Sequence, residues 1–137
     1  MRESKFRGKR IDNGEWVYGF YDGCYDSATI NYLKNGTPWN ACVDPETVGE
    51  FTGLLDKNGV EVYDDDIYRN LDTNLIGKLT VGIGVGGIYV LCTEYKDGHI
   101  YNNLPFAELD TTSFEVIGNI HDNPKLLMQN SQQLKGN

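Results

Sequence analysis

Asp64-Asp65-Asp66 is the densest run of possible hard-cation ligands in this 137-residue chain. Mg²⁺ and Ca²⁺ take several oxygen ligands, and neighbouring carboxylates can supply two of them. The spacing argues against a shared ion, because adjacent residues of a strand point to opposite faces. No DxDxDG loop with a glutamate at its twelfth position surrounds the triplet either. A solvated turn leading into a strand is the expected reading, with metal-dependent chemistry at Asp64 and Asp66 as the alternative. Nucleophile chemistry would need Cys24, Cys42 or Cys92 beside His99 or His121, partners that can meet in space without being neighbours in sequence. No nucleophile elbow, HExxH or CxxC pattern supports it. Surface histidines and buried, reduced thiols are expected, and no catalytic, cofactor-binding or metal residue and no cofactor is assigned.

The aromatic residues carry more information. In Glu15–Tyr21 the side chains of Trp16, Tyr18 and Phe20 fall on one face of a period-two run, while Tyr21, Tyr25, Tyr32 and Trp39 lie in a less regular stretch. Such rings pack a core, or form an interface at low entropic cost, or stack with bases. Base stacking normally comes with a positive groove, and the formal net charge is −8. The charge is divided. Within the first ten residues Arg2, Lys5, Arg7, Lys9 and Arg10 stand against Glu3, a net +4, which leaves −12 for the rest of the total −8. That basic segment reads either as a charged edge strand that discourages aggregation or as a contact for an acidic surface or for nucleic acid.

The elements that position these residues are short strands. Asn13-Gly14, Asp22-Gly23, Asn35-Gly36, Asn58-Gly59, Gly86-Gly87 and Asp97-Gly98 suit the positive φ of tight hairpins. Lys5–Ile11 and Glu15–Tyr21 form a predicted N-terminal hairpin about Asp12-Asn13-Gly14. Strands are also expected on both sides of Asp56-Lys57-Asn58-Gly59, over Leu75–Val85, over Ile88–Cys92 and over Phe114–Ile120. Glycines line one side of Leu75–Val85, which suits bending or close backbone approach. The run is no phosphate loop, since no Lys-Ser/Thr and no helix follow it. Residues 22–46 show no sustained period. A short helix is expected from Pro124, where Leu126, Leu127 and Met128 would cover an open end of a barrel. Sixteen glycines and nine tyrosines fit this mostly-β reading.

No apolar stretch reaches the length of a membrane span, and no apolar run follows the basic start as in a signal peptide. The expectation is a soluble protein that stays in the cytoplasm, with no membrane partner.

Several blocks together resemble one family. Lys5-Phe6-Arg7-Gly8-Lys9-Arg10 with Gly14-Glu15-Trp16-Val17-Tyr18-Gly19 is similar to the opening of the YopX family of phage and prophage proteins. So are Asp44–Leu54, Asp56-Lys57-Asn58-Gly59 with Glu61-Val62-Tyr63, and Phe114–Ile120 with Asn123-Pro124 and Leu126-Leu127. The blocks span nearly the whole chain in order. One departure stands out. Where the family reads acidic-Gly-Asp-Ile, this chain has Asp64-Asp65-Asp66-Ile67, so Asp65 must adopt the glycine's conformation, which aspartate tolerates better than most residues. The resemblance implies an origin in a phage or integrated prophage of a bacterial host, and an SH3-like small barrel in the C-terminal half. It carries over no activity and no functional residues.

The expected organisation is mostly β: an N-terminal β-hairpin region over 1–46, an SH3-like barrel with a short C-terminal helix over 47–128, and a disordered tail over 129–137. The leading functional reading is a non-catalytic protein-interaction module that binds a host or phage protein, or itself as a homo-oligomer. Nucleic-acid association through Arg7, Arg10 and the barrel is the alternative. Imitation of DNA by an acidic body and a metal-dependent enzyme follow behind.

Overall fold

The computed structural model describes residues 5–24, 27–84, 87–105 and 111–128, so the expected tail over 129–137 lies outside it. The chain is mostly β, with two antiparallel sheets and almost no helix. It divides into two compact units, Met1–Phe51 and Thr52–Asn137.

In the first unit the expected hairpin forms from β1 (Phe6–Lys9) and β2 (Trp16–Cys24), with Lys9 opposite Trp16 and Phe6 opposite Gly19. β1 is not an edge strand: its other side pairs with Gly49 and Glu50 at the start of β5 (Gly49–Leu55). The irregular stretch after Asp22 proves to be a second hairpin, β3 (Ser27–Lys34) and β4 (Thr37–Cys42). Its two-residue turn is Asn35-Gly36, with φ of 54° and 79°. Those positive angles explain the Asn-Gly pair, because both central positions of such a turn need the left-handed region.

Strand order here is β4-β3-β2-β1-β5. Beyond β4 the chain returns to β1: Val43 bridges Arg10, and the Ile11 and Asp44 amides donate to the Cys42 and Lys9 carbonyls at 3.0 and 2.8 Å. Val17, Ala28, Ile30, Ala41 and Val43 form the core inside this curl, with Phe6, Tyr32 and Val48 packed against them. Each large apolar side chain removed from water contributes about 1.5–3 kcal/mol. Gly19 is required by close approach, since a Cβ there would stand 2.1 Å from the Asn31 carbonyl oxygen.

In the second unit the sheet runs β10-β9-β8-β7-β11, from β7 (Asp66–Asn70), β8 (Ile76–Gly84), β9 (Gly87–Lys96), β10 (His99–Pro105) and β11 (Phe114–Asn119). β6 (Glu61–Tyr63) pairs with β5 across the turn Asp56–Gly59. The sheets are not closed among the described residues. The ladder of β8 and β9 runs to Gly84 opposite Gly87, so the glycine-rich segment is a hairpin. Tyr68, Leu79, Cys92 and Phe114 are fully buried with Val62, and the Tyr68 and Phe114 rings meet edge to face at 5.7 Å. The expected helix at Pro124 is a single 3₁₀ turn, Pro124–Met128, which packs on β8 and β9. Ahead of it Asn119 ends β11: its Oδ1 accepts the His121 and Asp122 amides at 3.0 and 2.9 Å, a local turn in place of further strand.

Candidate binding surface

The aspartate triplet folds as three separate structural devices. Asp64 and Asp65 form the turn between β6 and β7, and Asp65 adopts φ of 71°, the left-handed conformation expected of it. Asp64 Oδ1 accepts the Val81 amide at 2.9 Å, and burial raises its carboxyl above the usual range. Asp66 Oδ2 accepts the Tyr63 amide at 2.7 Å, and its side chain is buried rather than solvated. Asp65 faces His121, with Oδ2 and Nε2 3.6 Å apart. Among the described residues no three His, Cys, Asp or Glu side chains gather as they would around a metal ion.

The histidines and cysteines are distributed likewise. His99 Nδ1 contacts the Asp97 carbonyl oxygen at 3.0 Å in the exposed β9–β10 turn. Cys92 lies in the second unit's core, where burial pushes its thiol up to about 12. A thiol held neutral in this way is a poor nucleophile. Cys42 is exposed on β4 rather than buried as expected, and the Cys24 side chain is outside the described residues.

One polar cluster had no counterpart in the sequence reading. Glu94 is fully buried, and its Oε2 accepts hydrogen bonds from Tyr68 Oη at 2.9 Å and Asn70 Nδ2 at 3.0 Å. Its Oε1 is buried with no hydrogen-bond partner among the described residues. Gly77 stands opposite Glu94 and makes room for the Tyr68 ring, 2.5 Å from where a Cβ would sit. The Tyr68 phenol is pushed upward by burial first, then by the neighbouring Cys92 and Glu94. The sequence signal was available only as a strand carrying Cys92 and Glu94 on one face, the face that Gly77 and Leu79 share on β8.

The first unit's outer face is different in kind. Val17 on β2 points into the core, so its neighbours Trp16, Tyr18, Phe20 and Asp22 alternate outward. Tyr18 is 45% exposed, Phe20 61% and Leu33 on β3 72%, so these are not core residues. Phe20 pairs with Asn31, which puts Leu33 at its diagonal, and Leu33 in turn pairs with exposed Pro38 on β4. On β1 the outward positions are cations. Lys9 and Arg7 lie over the Trp16 ring at 5.8 and 4.7 Å, and Lys5 lies over Phe51 at 5.7 Å. Arg7 is nonetheless buried, and Trp16 is half-buried beneath these cations. Tyr21, Tyr32 and Trp39 take the other face, Tyr21 against the Phe6 ring at 5.6 Å. Tyr25 lies outside the described residues. Arg10 is committed to Asp12, with Nε and Nη2 bonding the carboxylate at 2.9 and 2.7 Å.

The family model described as "YopX protein" matches residues 5–128. Among curated proteins none matches the sequence. A solved structure, described as the crystal structure of protein EF1440 from Enterococcus faecalis, is similar at 22% identity and a TM-score of 0.43, over 93% of this chain and 99% of that one.

Proposed function

The chain belongs to the YopX family, and on that footing we propose that it is a non-catalytic protein-interaction module working through the outer face of its first unit. The observation that carries this reading is the strip of Tyr18, Phe20 and Leu33, three large side chains left exposed on the face opposite the core. Rings that bury much area while freezing few rotamers are what protein interfaces concentrate at their centres. Trp16 supports the strip from beneath Arg7 and Lys9 rather than reaching a partner itself. The partner is a host or phage protein, or a second copy, met in the cytoplasm of a bacterium carrying the phage or prophage. In the same reading the second unit is an SH3-like small barrel that acts as scaffold.

Nucleic-acid association has one observation in its favour, the interleaving of Lys5, Arg7 and Lys9 with Trp16 and Phe51. It predicts binding that weakens steeply with salt. The test is an affinity capture from bacterial lysate, with and without nuclease, comparing the wild type with a Phe20→Ser/Leu33→Ser variant shown to be folded by circular dichroism. A protein retained by the wild type after nuclease and lost by the variant supports the interaction module. Retention unchanged in the variant refutes this surface, and loss of everything on nuclease treatment moves the reading to nucleic acid.

A further inference from the structure

We infer that the outer face is self-complementary and that its occupant is a second copy of this chain, an inference that rests on the reading of this face as the binding surface. Outward along β2 the order is Trp16, Tyr18, Phe20, Asp22. The Trp16 end is cationic: Lys9 is its direct cross-strand neighbour, and both Lys9 and the Arg7 guanidinium lie over its ring. The far end is anionic, because Asp22 is exposed there. Two exposed aromatic rings stand between the ends.

A face ordered cation, ring, ring, anion matches itself when two copies meet with β2 antiparallel about a two-fold axis near Gly19. Residues on the two strands then oppose each other symmetrically about position 19. Phe20 of each copy packs on Tyr18 of the other, and Asp22 of each lies over the Lys9–Trp16 end of the other. This is an isologous contact, in which every interaction occurs twice. The rings supply the buried area, and the charge pairs at the ends set register and exclude the parallel arrangement, which would oppose like charges. Strand addition is a poorer route to a dimer. Pro38 lies in the outermost strand, and its lack of an N–H blunts that edge. A polyanion is the poorer occupant too, since it would meet Asp22 at one end and cation-covered Trp16 at the other.

Sedimentation velocity of the full chain over a dilution series tests the inference. The wild type sediments as a dimer that dissociates on dilution. Phe20→Ser sediments as a monomer throughout. Asp22→Lys and Lys9→Glu are each monomeric alone, because each opposes like charges at both ends. Mixed in equal amounts they recover the dimer, since every cation then faces an anion again. Circular dichroism establishes that each variant is folded, and Asp22, being exposed, tolerates its change without loss of packing. A wild type that stays monomeric at its highest concentration overturns the inference, as does a dimer that survives in both charge variants. Co-sedimentation of a monomer with a single-stranded oligonucleotide also overturns it. A monomeric wild type that still captures a protein through Phe20 and Leu33 would defeat the second copy while leaving the interaction module standing.

Discussion

Replacing Asp56 with alanine should destabilise the second unit by about 1.5–5 kcal/mol. Its side chain is buried, and its two oxygens hold three backbone amides. Oδ1 accepts from Asn58 at 2.8 Å and from Val60 at 2.9 Å, which shapes the Asp56–Gly59 turn. Oδ2 accepts from Val116 at 2.9 Å, which ties that turn to β11. The turn residues are exposed, so water can replace the acceptor at Asn58 and Val60, and losing a cap of this kind costs roughly 0.5–2 kcal/mol. The Val116 amide is less accessible, and an unsatisfied buried donor costs about 1–3 kcal/mol. Asp56→Asn separates the contributions. It keeps one oxygen for the turn but presents an amide N–H₂ to the Val116 N–H, so about half the loss should remain. Urea unfolding at constant m-value measures both variants, and amide exchange at Val116 reports the second contact directly. A loss below about 1 kcal/mol for the alanine variant would refute the argument that these bonds hold the turn to the sheet. Equal losses for alanine and asparagine would place the effect in the charge rather than in the directed acceptors.

Alkaline unfolding should follow from the buried Cys92 and Tyr68. Both groups are pushed upward by burial, Cys92 to about 12, so the folded chain favours their protonated forms. The resulting stability is complete below pH 9 or so, where even an unfolded thiol stays protonated, and is lost as the pH rises towards 12. For Cys92 alone the rise is worth at most about 4 kcal/mol; circular dichroism against pH should show this limb, and a thiol reagent should modify Cys42 in the native protein but Cys92 only on unfolding. Gly77→Ala forces a methyl to within 2.5 Å of the Tyr68 ring, and overpacking of this kind should cost about 1–3 kcal/mol in thermal or urea melts. Asp65→Gly should raise the melting temperature by relieving the left-handed conformation at φ of 71°, a gain of about 0.5–1 kcal/mol, whereas Asp65→Val should lower it; equal melts for the two would show that the turn carries no strain.

The parts of the fold legible in the sequence were those where local chemistry and tertiary environment agree. The hairpin about Asn13-Gly14, the turn at Asp56–Gly59 and the long strand through Leu79 combine a period of two with turn residues that need positive φ. The β3–β4 hairpin was hidden because only its base is buried. Ala28 and Ile30 point inward and Tyr32 packs at the core's margin, but Leu33, Pro38 and Trp39 are exposed, where nothing enforces alternation of polarity. The placement of β1 was hidden for a different reason. Lysine and arginine on alternate positions look the same on an edge strand as on an inner strand whose outward face carries cations over aromatic rings. Glu94 was missed because a buried carboxyl depends on Tyr68 and Asn70, which are distant in sequence and recognisable as partners only once β7 lies beside β8 and β9.

The same distinction separates the two kinds of polar residue in this chain. Asp56, Asp64 and Asp66 spend their acceptors on backbone amides of turns and strands in the second unit, as the neutral Asn119 does on its own turn, so the conspicuous acidity of the three aspartates is consumed by the fold. The aromatic residues run the other way. A sequence reading favours rings in the core, yet the core of the first unit is built from Val17, Ala28, Ile30, Ala41 and Val43, small enough to fit inside its tight curl. Tyr18 and Phe20 are thereby left on the face opposite that core, 45% and 61% exposed. Exposed aromatic rings on a sheet whose core needs none of them are the ground for the proposed contact with a second copy, and in that proposal the cation and anion at the two ends of β2 set its register.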